Sequence, residues 1–216
     1  MDWQVIVVNL PLLMRGLATS AQLAVVAILL SFPVGCLIAI GRLSPRRWLS
    51  AGCAGFVNVL RSNPLVLILF WFYFSIPIII GRPVGDEASV IIAFIVFFAA
   101  YFAEIVRAGI QSVGTRQIQA GLSSGLTYAQ TMRFIVLPQA IRAMRPALTT
   151  QCIVVFQGTT VAYVIGYHEL LHTTAMIVER TIRPIELYVF VAVVYFVVCY
   201  AGSLLSRHFE KQAAAQ

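Results

Sequence analysis

Long apolar stretches alternating with short polar ones set the first reading of this chain. Five stretches come close to the roughly 20 apolar residues that a helix needs to cross a bilayer core. They cover about residues 17–40, 56–80, 88–106, 146–166 and 187–205. The ten-residue alternation of an outer-membrane barrel is absent, so the pattern predicts helices. Residues 5–14 are apolar but too short to span, and Pro11 interrupts them. The opening Met1-Asp2-Trp3-Gln4 carries an acid where a signal peptide would carry Lys or Arg. Residues 1–16 are therefore expected to form an interfacial helix leading into the first span.

Composition narrows the class. The chain is 60% hydrophobic and 11% charged, against about 25% charged for a soluble domain. Its surface could not be covered in water, and disorder would need low hydrophobicity. The net charge of +7 does not indicate nucleic acid, because the basic residues are scattered between apolar stretches instead of clustered. The chain reads as an all-α integral membrane protein in a lipid bilayer.

The distribution of basic residues gives the orientation. Arg42, Arg46, Arg47, Arg61, Arg107, Arg116, Arg133, Arg142, Arg145, Arg207 and Lys211 fall on one set of flanks, and only Arg15, Arg82, Arg180 and Arg183 on the other. The richer set is assigned to the cytoplasm. Asp2, Asp86, Glu87, Glu169, Glu179 and Glu186 fall outside. The N-terminus is then outside and the C-terminus inside, which requires an odd number of spans, and five fits. Cys36, Cys53, Cys152 and Cys199 are widely spaced, with no C-x-x-C pair. They read as apolar filler, without a disulfide framework or metal cluster.

About 30 residues separate the third and fourth spans, more than a helical hairpin needs. Thr127 with Gln130 forms a capping box for a helix beginning near Tyr128. That helix should stop before Pro138. Gly121 and Gly125 bracket Ser123-Ser124, where the backbone can turn. Ile118, Leu122, Met132, Phe134 and Ile135 give this cytoplasmic segment an apolar face that should pack on something.

The run Gln119-Ala120-Gly121, then Gly125, then Ile135-Val136-Leu137-Pro138 resembles the EAA signature of bacterial ABC-importer permeases, E-A-A-x3-G-x9-I-x-L-P. Leu60-Arg-Ser-Asn-Pro-Leu65, Phe70-Trp-Phe-Tyr73, Ala100-Tyr-Phe-Ala-Glu-Ile-Val-Arg-Ala-Gly-Ile-Gln-Ser-Val113 and Leu137-Pro-Gln-Ala-Ile-Arg142 are similar to the polar amino acid branch of that family. Pro64-Leu-Val, Trp71-Phe-Tyr73 and Phe156-Gln157 resemble permeases of glutamate/aspartate importers. The chain departs from the pattern at Gln119, where the family has Glu, at Gly121, where it has Ala, and at Ser124, where Leu is usual. The loss of the acid puts in question any ion pair it makes elsewhere in the family. Span four reads Gln157-Gly158-Thr159-Thr160 where Lys-Asp-Thr-Ser is common.

The resemblance implies a five-helix type I, MetI-like permease domain over residues 17–206, with a cytoplasmic coupling loop at about 111–145 and a tail at 207–216. It implies that Gln119, Ala120, Gly121, Leu122 and Gly125 dock on an ATP-binding subunit, with Leu137 and Pro138 supporting the turn behind them. A second permease subunit, the same chain or a sister, and an extracytoplasmic solute-binding protein would complete the importer. Independently, the chain has one lysine and no G-x-x-x-x-G-K-[ST] loop, so no cofactor is expected on it and ATP belongs to a partner.

Polar groups inside spans usually face a bundle interior or a water-filled path. Thr150, Gln151, Gln157, Gly158, Thr159 and Thr160, with Thr149, make span four the candidate pathway. Interhelical hydrogen bonding is the alternative role for these groups. Glu104 and Arg107 are three apart and can pair along a helix. Together with Arg61 they read as a gate or as a structural ion pair. His168-Glu169-Leu170-Leu171-His172 matches H-E-x-x-H, the zinc metalloprotease pattern. Gly166, just ahead of it, argues against the helix this pattern needs. A membrane metalloprotease and a stand-alone secondary transporter are the rival readings.

Overall fold

A computed structural model describes residues 3–82 and 85–214, with side chains to Arg207. Asp2, the Lys211 side chain and the end of the 207–216 tail lie outside the described residues. Among those residues the chain is helical throughout: α1 Gln4–Arg42, α2 Arg47–Arg61, α3 Leu65–Ile80, α4 Asp86–Ser112, α5 Thr115–Ser123, α6 Tyr128–Thr131, a π turn Met132–Val136, α7 Leu137–Gly158, a 3-10 segment Thr159–Ile165, α8 Leu170–Thr181 and α9 Pro184–Ala214. Four of these stretches are long and apolar enough to cross a membrane, and a fifth crossing results if the bent pair α2–α3 counts as one span.

The fold is organised around a seam between α1 and α4. Along α1 the buried positions Ser20, Ala24, Ala27, Ser31, Gly35 and Ala39 recur every three or four residues, so small side chains line one face. Small residues let helix backbones approach closely where lipid gives no hydrophobic drive for association. Gly35 is the tightest point. A Cβ there would lie 2.7 Å from the Phe102 Cβ and 2.9 Å from the Ala99 carbonyl oxygen. On α4, Ala93, Ala99, Ala100 and Ala103 meet this face, while Phe94, Phe98 and Phe102 fill the space beside it. Phe32 and Phe102 pack edge to face at 5.7 Å.

Three expectations are revised. Residues 5–14 are not a separate interfacial helix, because α1 runs unbroken through Pro11 and Pro33, about 58 Å at 1.5 Å per residue. Both prolines lie on its outer, exposed side. The stretch 56–80 is not one straight helix but part of a bent pair. Helix α2 ends at Arg61, the chain turns through Ser62, Asn63 and Pro64, and α3 leaves at 105° to it. Pro64 sits in the extended region ahead of α3, and Asn63 Nδ2 donates back to the Val59 carbonyl at 2.7 Å. Helix α2 packs through Val57 and Leu60 against α1 and α4. Finally, the helix at Tyr128 does not stop at Pro138. A proline lacks the N–H for an ordinary helical bond, and a π turn absorbs the defect. The Leu137 N–H reaches back to the Met132 carbonyl, so α7 starts in register immediately behind it.

At the opposite end, Glu169 closes the start of α8. Its carboxylate accepts from the Leu171 N–H at 2.9 Å and the His172 N–H at 2.7 Å, which caps the helix. Ser20 of α1 donates to it at 3.4 Å and accepts from the Leu170 N–H at 3.1 Å. Tyr195 of α9 donates to it at 3.5 Å, and its hydroxyl lies 3.5 Å from Thr159 Oγ1. Glu169 thus ties α1, α8, α9 and the 3-10 segment together. Gly166 is left-handed at φ 80° and α8 begins only at Leu170. His168 is therefore outside the helix and Glu169 points inward, away from any position where an H-E-x-x-H base would act. Among the described residues no three His, Cys, Asp or Glu side chains gather in a metal-binding arrangement.

Burial pushes the Glu169 carboxyl above its usual value, and the Leu171 and His172 N–H groups, Ser20 and Tyr195 oppose the rise. A raised native value means stability fully present below the ordinary glutamate range and lost as pH climbs through the raised one. The difference in unfolding midpoint between the wild type and Glu169→Gln should therefore shift against the wild type from pH 4 to pH 8. A difference constant with pH would show that Glu169 titrates as an exposed group. At the helix seam, Gly35→Val should cost about 1–3 kcal/mol by overpacking, read as a lower thermal midpoint in detergent. Gly52→Ala, with nothing within 4 Å of its new Cβ, is the control that should not fall.

Candidate functional site

The loop between α4 and α7 is a helix, a turn and a second helix. Helix α5 ends in a closed backbone motif. The Gly125 N–H donates to the Leu122 carbonyl at 3.0 Å and the Leu126 N–H to the Gly121 carbonyl at 3.2 Å, with Gly125 left-handed at φ 84°. This is the Schellman arrangement, and it places glycine one residue past the helix end for its free φ. The expected capping box is present. The Gln130 N–H donates to Thr127 Oγ1 at 3.3 Å, and the Thr127 N–H donates to Gln130 Oε1 at 2.8 Å.

The docking candidates separate by exposure. Gln119, Ala120 and Leu122 are exposed on α5, together with Ser123. Gly121 faces the other way and is buried, because a Cβ would lie 2.7 Å from Thr131 Cγ2 and 2.9 Å from Ile135 Cδ1. Thr131 and Ile135 therefore support the turn. Leu137 and Pro138, expected in that role, are exposed instead. They line an open groove of about 460 Å³ with Ile141, Arg133, Arg142 and Arg145.

The ionic candidates converge. Glu104 of α4 pairs with Arg107 one turn on and with Arg42 at the end of α1, and Arg61 at the end of α2 lies 3.8 Å away. Arg61 also sits 5.5 Å above the Tyr101 ring, and Arg107 donates to Gln111. One carboxylate thus faces three guanidiniums where α1, α2 and α4 meet. Arg42 was missed as a partner because its position in the sequence, 62 residues from Glu104, carries only a topological signal. Glu169 reads in the sequence as an outside acid and as part of a motif, not as a buried cap, and Tyr195 carries no local signal.

The pathway candidates do not form one surface. Gln157 is exposed, and Thr160 Oγ1 donates to its carbonyl at 2.8 Å. Thr150 is exposed on α7 with its hydroxyl 3.3 Å from Ser206 of α9. Gln151 and Thr159 turn inward and are buried. Thr159 donates to the Phe156 carbonyl at 2.7 Å, whereas the Gln151 Nε2 is buried without a partner. Gly158 gives room to Phe98, whose Cζ would lie 3.0 Å from a Cβ there. Thr150 and Gln157, seven residues apart on α7, share an exposed face. Gln151 belongs to the core.

Comparison with known proteins matches this arrangement. Residues 31–214 fit the model of the family described as "Binding-protein-dependent transport system inner membrane component". The chain is 39% identical to the glutamate/aspartate import permease protein GltK of Escherichia coli O6:H1 over 223 aligned positions, covering 99% of this chain and 98% of that one. It is 35% identical to the probable glutamine ABC transporter permease protein GlnP of Bacillus subtilis, covering 94% of each. It superposes with a TM-score of 0.92 and 31% identity on the crystal structure of an amino acid ABC transporter with histidines, over 98% of this chain and 99% of the other. The bundle of long apolar helices finds its place in that family. The chain belongs to the inner membrane components of binding-protein-dependent transport systems, as a membrane-spanning permease subunit of an ATP-driven importer and not an enzyme.

Proposed function

We propose that this chain forms the translocation pathway for polar amino acids, with glutamate and aspartate favoured, and couples it to ATP hydrolysis by docking a separate ATP-binding subunit on the α5 turn. The supporting observation is mechanical. The Gly125 turn is the first part of a continuous path, through α6 and the π turn, into α7, which carries Thr150 and Gln157 on its exposed face. A displacement of α5 by a docked partner is transmitted to that face without crossing a flexible linker. The favoured substrates follow the name of the GltK relative.

In this reading the N-terminus is outside and the C-terminus cytoplasmic, residues 17–206 form the pore domain, and a second permease subunit faces this one. A solute-binding protein delivers substrate outside. The Glu104 cluster lies at the cytoplasmic ends of α1, α2 and α4. It holds these ends in one arrangement, and breaking it would let them separate.

Gly125→Arg should leave the protein inserted but abolish substrate-stimulated ATP hydrolysis and uptake, since a side chain at φ 84° is strained and projects from the docking turn. Gly125→Asn, which tolerates the left-handed region better, should retain much of the activity. Uptake by Gly125→Arg at the wild-type rate would refute the docking assignment. In membrane vesicles holding the complex and its binding protein, glutamate or aspartate should stimulate ATP hydrolysis most. Stronger stimulation by another polar amino acid would keep the importer and overturn the substrate. Uptake that persists without ATP would point to a stand-alone transporter.

A further inference from the structure

Helix α2 has two faces, and only one is used by the bundle. Val57 and Leu60 pack into a cluster with Ala39, Ala100 and Ala103. The opposite face carries Trp48, 70% exposed, Phe56, 42% exposed, and Val59, with Gly52 and Gly55 between them. A Cβ at either glycine would meet nothing within 4 Å. Ile38, Trp48, Leu49, Gly52, Cys53 and Phe56 enclose an apolar groove of about 340 Å³. At its head stand Arg46 and Arg47, both exposed, and no acid lies in the first turn of α2.

The placement of this groove restricts what can fill it. Helix α2 lies at 105° to α3, so if α3 crosses the bilayer, α2 lies close to its plane. Its far end is fixed by Arg61 beside Glu104 and Arg42, at the ends of two spans. The groove therefore opens at the membrane boundary, where Trp is favoured and basic side chains meet headgroups.

We propose that this face is a binding site for an anionic phospholipid, with one acyl chain in the groove between Trp48 and Phe56 and the phosphate at Arg46 and Arg47. The site is separate from the docking turn on α5 and does not depend on which solute is transported. An anionic headgroup next to one or two arginines gains affinity that a zwitterionic one does not, and the apolar groove holds the chain beneath it.

Trp48 is itself the probe. In full-length protein carrying Trp3→Phe and Trp71→Phe, in vesicles, Trp48 fluorescence should be quenched by brominated phosphatidylglycerol at a mole fraction roughly five-fold or more below that of brominated phosphatidylcholine. Arg46→Gln with Arg47→Gln should remove the preference and leave quenching by phosphatidylcholine. Gly52→Leu, whose Cβ meets nothing within 4 Å and whose longer side chain enters the groove, should weaken quenching by both lipids with an unchanged thermal midpoint. Equal quenching by the two lipids, or a preference that survives the arginine substitutions, would overturn the headgroup assignment. A Trp48 quenched by neither would show the face covered by protein and overturn the site.

Discussion

Backbone approach between α1 and α4 constrains the rest of this molecule. In a membrane, apolar side chains gain little by leaving lipid for protein, so helices hold together through close packing and the polar contacts it permits. The small-residue face of α1 brings it near enough to α4 for Arg42 to reach Glu104. The same face sets Ser20 at the height of Glu169. With a larger residue at Gly35 the backbones would part, and both polar clusters would lose a member. The seam is weak per residue and effective because it repeats along the helices.

The two clusters at its ends differ in chemistry. At one end a single carboxylate faces three guanidiniums, an excess of positive charge held half-exposed where solvent and lipid headgroups can moderate it. At the other a carboxylate is fully buried and takes hydrogen bonds from two backbone amides and two hydroxyls instead of a cation. The first cluster joins three helix ends and opens if its charges are separated. The second fixes the start of α8 and stays closed while its donors remain. One end of the bundle is thus held by separable charges and the other by a closed set of hydrogen bonds.

Much of this was legible in the sequence, and the reasons are specific. Apolar length located the crossings, because burying a backbone in lipid leaves few alternatives to a helix. The Thr127 box and the Gly125 turn were visible because helix ends depend on residues only a few positions apart. What escaped was set by distant parts of the chain. Hydropathy cannot distinguish one span from two helices meeting at 105°, since α2 and α3 are both apolar and only the Ser62-Asn63-Pro64 turn separates them. Pro138 read as a stop because the local rule ignores the π turn that shifts the register ahead of it. Gln151 and Thr159 counted as pathway residues by type, yet their burial depends on α4 and α9. The pairing of Arg42 with Glu104 follows from packing alone.

The departures from the family pattern become intelligible in the same terms. Gln119 replaces an acid, but the bonds that close the α5 turn run between backbone groups, with Ser124 Oγ adding one to the Ala120 carbonyl at 2.9 Å. None of them uses the side chain at 119, so a neutral residue there leaves the turn intact and alters only the face it presents. Gly121 in place of alanine belongs with its neighbours, because Thr131 Cγ2 and Ile135 Cδ1 occupy the space a methyl group would take. The contact between α5 and the helix behind it is thus made by these two side chains against bare backbone. Backbone bonds on one side and side-chain packing on the other thus fix α5 against the start of α7.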